Sequence, residues 1–125
     1  MPVLYGDCVW DRAQTFGILS GDQLVVMLAN RLGARRVGLG TNVDGVLDEA
    51  GQPLAEWRAG AGLAGVGGSG AVDVTGGMRG KLAELAALQG AEACIFNLTK
   101  PEHLEKWLAG APVGTRIAAR EENTP

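Results

Sequence analysis

Hydrophobic and polar positions along the chain follow two different periods. Short apolar runs at 3–5, 8–10 and 16–19, the first two separated by a turn at Gly6 and Asp7, predict strand pieces and a β-rich start. Ser20, Gly21 and Asp22 then supply oxygens able to accept bonds from the free N–H groups of a first helical turn. Beyond them Leu24, Leu28 and Leu32 recur at intervals of four, with Val25 and Ala29 beside them, until Gly33. That spacing predicts a helix with one apolar face laid on a sheet. Residues 37–39 read as a buried strand running out into the polar, glycine-containing stretch 40–45, at the strand end where α/β proteins place ligands.

From 49 to 70 the chain turns rich in Gly and Ala, with Pro53 and a Trp57-Arg58 island, so regular structure there is expected to be short and the stretch 49–72 to form a flexible loop. Met78, Leu82, Leu85 and Leu88, spaced by four, three and three, predict a second helix over 77–88 that stops at Gly90. A buried strand over 93–96 follows. Thr99, Pro101 and Glu102 read as a capping box with proline in the first turn, opening a third helix through Leu104, Trp107 and Leu108 to Gly110. Residues 115–118 suggest a last strand, and the polar end 120–125 a disordered tail. Strand and helix thus alternate three times, which predicts an α/β fold with a mainly parallel sheet and flanking helices.

Composition narrows what such a fold can do. In 125 residues, 46% are hydrophobic and 20% charged, enough apolar material for one globular domain and too little chain for a complete two-substrate enzyme. Eleven basic residues, scattered rather than gathered into a stripe, against fourteen acidic ones give a net charge of -3, which disfavours nucleic acid as a partner. Cys8 and Cys94 lie far apart without a companion at metal-ligand or redox spacing, as expected in a reduced cytoplasm. The start lacks a basic region followed by a long apolar one, and no apolar stretch reaches membrane-spanning length, so a soluble, untargeted chain is expected.

The strongest chemical signal is Asp73-Val74-Thr75-Gly76-Gly77-Met78-Arg79-Gly80-Lys81, which sets two glycines ahead of the predicted helix and a lysine on its first turns. Backbone N–H groups without side-chain bulk, the partial positive charge of a helix N-terminus and the Lys81 ammonium together suit phosphate. Local physics leaves this open against a plain glycine-capped helix with a solvated lysine. A Walker A loop is excluded, because Thr75 and Leu82 occupy the places of its first glycine and its magnesium-holding hydroxyl. Two GxGxxG matches within 60–70 neither follow a strand nor open an apolar helix, and read as a glycine-rich loop. His103 reads as a surface histidine, and Trp10, Trp57 and Trp107 as packing residues. Asp44 and Asp48 suit a ribose or a metal-bound phosphate, and equally the backbone of a turn.

Taken together, residues 2–7, 18–26 and 38–46 and the run from Asp73 to Lys81 resemble, in order and spacing, the second half of the isopentenyl phosphate kinase family, part of the amino acid kinase superfamily with acetylglutamate, uridylate, aspartate and glutamate kinases. The resemblance covers residues 2–117. It implies that residues 1–119 form the ATP-binding, C-terminal half of a three-layer α/β sandwich whose N-terminal half holds the phosphate acceptor. It further implies that Thr41, Asp44, Gly45 and Asp48 border the nucleotide and that Gly76, Gly77 and Lys81 meet its phosphates. Gly6 would approach the acceptor phosphate, and Asp7 would orient catalytic lysines by charge pairing. The implied reaction is transfer of the ATP γ-phosphate to isopentenyl phosphate, with Mg2+ screening the phosphates and no resident metal site. The implied partners are that acceptor and a separate N-terminal half-domain or further copies of the chain, without nucleic acid or membrane.

Several positions depart from the family pattern. Its opening lysine and glycine-rich loop, and its histidine-bearing acceptor loop, have no counterpart in these residues. Leu47 stands where tyrosine is usual, and Asn42 where aspartate is common. A uridylate or acetylglutamate kinase-like activity and a non-catalytic nucleotide-binding or assembly module remain as alternatives, and the GxGxxG matches leave a dinucleotide-dependent oxidoreductase as a third.

Overall fold

A computed structural model describes residues 1–58 and 74–118. The elements in chain order are β1 (Asp7–Asp11), β2 (Thr15–Leu19), α1 (Gly21–Leu32), β3 (Arg36–Thr41), β4 (Glu56–Arg58), α2 (Val74–Leu85), β5 (Glu92–Asn97), α3 (Pro101–Ala109) and β6 (Thr115–Ala118). The GxGxxG matches, Asp73, most of the loop expected over 49–72 and the tail 120–125 lie outside the described residues. Strand β4 falls within that expected loop.

Helix α1 starts on a reciprocal capping box. The Ser20 hydroxyl accepts the Gln23 N–H at 3.2 Å, and the Gln23 side chain accepts the Ser20 N–H at 3.0 Å. Gly33, left-handed at φ 63°, ends it. The buried face centres on Val26 and Ala29, whereas Leu24 and Leu28 sit on its shoulders and Leu32 is 79% exposed. The apolar stripe is therefore rotated from the leucine repeat, because the face pressed on β3 and α2 is narrow and smaller side chains fill its centre. On α2 the expected spacing holds, with Met78, Leu82 and Leu85 all buried. This helix begins at Val74, so Gly76 and Gly77 lie inside its first turn rather than ahead of it.

Two side-chain clips fix α1 against α2. Lys81 Nζ donates to both carboxylate oxygens of Asp22 at 3.1 Å, and Asn30 donates to Ala87 O at 2.9 Å while accepting the Gln89 N–H at 2.8 Å. Because 22 meets 81 and 30 meets 87–89, the helices run in the same direction. Between them and the sheet sits the core, including Val26, Ala29, Val37, Leu39, Leu82, Leu85 and Ile95.

The main sheet has the order β3-β5-β6-β4. Two of its three pairings are parallel, β3 with β5 and β4 with β6, and β5 with β6 is antiparallel. The reversal has a local cause. Val113 accepts a bond from the Cys94 thiol, and Gly114, at φ 58°, then turns the chain so closely on β5 that a Cβ there would lie 2.0 Å from the Ile95 carbonyl oxygen. Strand β6 consequently descends beside β5. Thr115, fully buried, accepts the Val46 N–H at 2.9 Å and donates to Leu54 O at 2.6 Å, tying the segment after β3 to the sheet.

Strands β1 and β2 form a separate antiparallel hairpin. Asp11 closes its turn by accepting the Ala13 and Gln14 N–H groups, and Thr15 takes φ 72°. Residues 3–5, expected as strand, have no ladder partner among the described residues, form no regular element and are exposed. Around α3, the Phe96 and Trp107 rings stack at 5.7 Å and the Arg36 guanidinium sits 4.9 Å over Trp107.

Three outcomes follow. Gly114→Ala should destabilise the chain by about 3 kcal/mol or more, because left-handed strain adds to backbone overlap. Gly80→Ala, on a helix with nothing within 4 Å of the added methyl, should instead stabilise by about 1 kcal/mol in chemical denaturation. The Cys94 thiol, pushed up to about 11 by burial, should resist a maleimide at neutral pH while exposed Cys8 reacts, giving one labelled thiol per native chain and two after denaturation by mass spectrometry.

Candidate functional site

Strands β3 and β5 end together, since their last paired residues are Thr41 and Asn97. Helix α1 enters β3 through a three-residue link, so it runs against that strand, α2 shares the direction of α1, and α3 leaves β5 after three residues. All three N-termini therefore gather at the C-terminal edge of the two parallel strands, bringing free N–H groups and partial positive charge there.

One polar group at this edge surrounds Lys81. The ion pair with Asp22 is about three-quarters buried on both sides, with 28% and 26% of the side chains exposed. Asp22 stands in the first turn of α1, whereas Lys81 is the eighth residue of α2. Seven residues of α2, roughly 10 Å at a helical rise of about 1.5 Å per residue, therefore precede the contact. On them Gly77 has nothing within 4 Å of where a Cβ would stand, so internal packing does not require glycine there. Gly6 is required by packing: a Cβ would lie 2.7 Å from Leu19 O and 3.1 Å from Gly21 N, and its absence lets residue 6 rest on the start of α1. Asp7 accepts the Cys8 N–H at 2.7 Å. Lys81 itself is paired with Asp22, a residue read from sequence only as part of a helix cap.

A second group lies at the ends of β3 and β5. The Thr41 hydroxyl bonds the backbone of Val43. Asp44 is paired with Lys100 at 2.8 Å and accepts from the Asn97 amide at 2.9 Å; the Lys100 bond first and the Asn97 bond second hold its carboxyl below the ordinary value. Asn97, buried, is the hub. Its side-chain Oδ1 accepts from the Thr99 N–H and hydroxyl, and its backbone N–H donates to His103 Nδ1 at 3.2 Å. Thr99 is therefore engaged with Asn97 rather than capping α3, whose N-cap is Lys100, and His103 is docked rather than free. Gly45 is buried with its Cα against Thr115, where a Cβ would meet Thr115 Oγ1 at 2.5 Å. Asp48 Oδ1 accepts the N–H groups of Ala50 and Gln52, both at 2.9 Å, and so closes the turn that follows.

Asn97 escaped the sequence reading, while Thr99 and Lys100 entered it only within a helix-capping stretch and His103 only as a surface histidine. The available signal was a polar residue directly ending an apolar strand. Among the described residues no group of three or more His, Cys, Asp or Glu side chains is arranged to hold a metal, and no helix is long and apolar enough to cross a membrane. A cavity of about 330 Å³ opens at the opposite end of the strands, beside Arg36, Glu92 and Arg116, where Arg116 is bridged to Glu92 and Glu56.

The profile of the amino acid kinase family matches residues 1–97. The chain is 48% identical over 118 residues to an isopentenyl phosphate kinase of Haloferax volcanii, covering 94% of this chain and 46% of that one. It is 41% identical to an isopentenyl phosphate kinase of Methanothermobacter thermautotrophicus, covering 96% and 49%. Among solved structures, an isopentenyl phosphate kinase at 35% identity superposes with a TM-score of 0.71 over 93% of this chain and 44% of that one. An N-acetylglutamate synthase from Neisseria gonorrhoeae, at 22% identity and a TM-score of 0.65 over 82% of this chain and 24% of that one, shares the fold. The chain spans about half the length of the curated relatives it matches.

Because the lowered Asp44 value makes its charged form favourable to the fold, that contribution is present above the unfolded carboxyl's value and fades as pH falls through the folded one. Lys100→Ala should raise the Asp44 titration midpoint seen by carboxylate 13C NMR, and the acid-induced loss should then be smaller and complete at higher pH. An unchanged midpoint would contradict the assigned pair.

Proposed function

The chain belongs to the amino acid kinase family, and on that premise we propose that it is the ATP-phosphate-binding half of a small-molecule kinase whose acceptor is isopentenyl phosphate. The observation carrying this reading is Lys81, held by Asp22 where α2 projects past the start of α1. The ammonium is kept at the N-terminus of α1, partly exposed, beside a Gly77 surface that internal packing leaves open. The resemblance of the chain to isopentenyl phosphate kinases supplies the acceptor.

Phosphoryl transfer demands placement and charge more than covalent chemistry, because the transferred group spreads negative charge over its oxygens between an incoming and a leaving oxygen in line. Lys81 would bind those oxygens with donors that now point at Asp22, and Asp22 would keep the ammonium from swinging into solvent between turnovers. Gly76 and Gly77 admit phosphate to the first turn of α2. Thr41, Asp44 and Gly45 border the nucleotide at the strand ends, with Asn97 and Lys100 fixing the Asp44 carboxylate. Mg2+ would arrive with the nucleotide, since this cation keeps its waters and is usually held by substrate phosphates with one or two carboxylates. The setting is the cytoplasm, in keeping with the free thiols of Cys8 and Cys94.

Thermal unfolding with saturating Mg-ATP tests the reading. At 100 times Kd the wild-type chain should gain about 2.7 kcal/mol. Lys81→Ala should weaken binding roughly 10- to 100-fold, as expected for loss of a charged hydrogen bond worth about 1.5–3 kcal/mol. Equal stabilisation of both proteins would remove Lys81 from the site. Isopentenyl diphosphate formation should be negligible for this chain alone and appear when the remaining portion of a relative is added; turnover by the chain alone would contradict a divided site, and nucleotide binding without turnover in the mixture would favour a non-catalytic module.

A further inference from the structure

The hairpin carries an apolar face that nothing in the described fold uses. Its register places Cys8 opposite Ile18 and Trp10 opposite Phe16, so these four side chains share one face, while Asp7, Val9, Asp11, Thr15 and Leu19 share the other. Trp10 is 88% exposed, Ile18 83% and Phe16 63%, and Leu4 and Tyr5, leading into the strand, are exposed as well. Two isolated strands are marginal in water without a covered face, and a contiguous exposed apolar patch of this kind marks a contact surface. The hairpin is also not free to wander. Gly6 rests on the start of α1, and β2 runs directly into the Ser20 cap, so whatever covers the hairpin is set beside Asp22 and Lys81.

We propose that this face is the docking surface for the other half of the kinase fold, the portion that the isopentenyl phosphate kinases possess and this chain does not match. The proposal rests on the kinase reading above and adds the place where the two halves meet. The occupant follows from size and position. The matched relatives are about twice as long as the match. The candidate phosphate site lies at the same end of α1 as the hairpin, so a half seated on Trp10 and Ile18 brings its acceptor against the nucleotide side. A second copy of this chain would bring a second set of the same nucleotide residues instead, leaving the acceptor without a holder.

The test uses the full chain and, as a separate polypeptide, the unmatched portion of the Methanothermobacter thermautotrophicus relative. Titration calorimetry should show one-to-one binding, and hydrogen exchange of the amides at 7–19 should slow in the mixture. The double variant Trp10→Ser, Ile18→Thr should raise Kd at least tenfold. Leu108→Ser, which removes an exposed apolar side chain on α3, should leave it within twofold. Absence of binding by the wild-type chain, equal binding by the double variant, or a homodimer of the chain that the double variant abolishes would each overturn the proposal. Mg-ATP stabilisation measured on the same samples separates the two readings. Docking without nucleotide binding sinks the kinase reading, whereas nucleotide binding without hairpin-dependent docking sinks this one.

Discussion

The parallel alignment of α1 and α2 is the constraint on which the rest of the arrangement depends. Hydrophobic burial along Val26, Ala29, Met78, Leu82 and Leu85 draws the two helices together but does not by itself choose their stagger. The stagger is chosen by directional bonds at each end, Asp22 with Lys81 and Asn30 with the backbone of Ala87 and Gln89. With that offset fixed, α2 overhangs α1 by two turns. The overhang exposes Gly77 and keeps the one lysine of α2 at the N-terminus of α1 rather than on an outer face.

The Asp22–Lys81 bond by itself adds little to stability. An ion pair about a quarter exposed contributes on the order of 1 kcal/mol or less to folding. Its larger effect is positional, fixing the ammonium beside the first turn of α1, where free N–H groups add partial positive charge. The Asp44–Lys100 pair, more open to solvent, is tied instead to the buried Asn97. Each group is thus a lysine–aspartate pair, Lys81 with Asp22 and Lys100 with Asp44, the second anchored by a buried amide.

Local signals in the sequence were read well where the structure is local. Ser20, Asp22 and Gly33 marked α1, the Met78-Leu82-Leu85 spacing marked α2, and Pro101 and Gly110 bracketed α3. Longer-range features were not legible. Strand β4 exists only through its pairing with β6, and three residues carry no period of their own. The antiparallel course of β6 depends on Gly114 meeting Ile95, nineteen positions away in sequence. The glycines at 76 and 77 suggested a helix start after them because glycine is a poor helix former, yet burial of Met78 and Leu82 carries the helix through. Asp22 as the partner of Lys81, and Asn97 as the hub beside Asp44, depend on packing and register between distant segments. Residues 3–5 are apolar enough for a strand, but a strand also needs a neighbour.

The central claim is that the Lys81 ammonium, released in part from Asp22, receives the phosphates of ATP. The chain has three lysines, Lys81, Lys100 and Lys106, so their side-chain ammonium and terminal methylene signals can be followed individually by NMR in a lysine-labelled sample. On titration with Mg2+ and a non-hydrolysable ATP analogue, the Lys81 signal should move most and saturate with the binding curve, while Lys106 stays in place. A Lys81 signal unchanged at saturation would contradict the account.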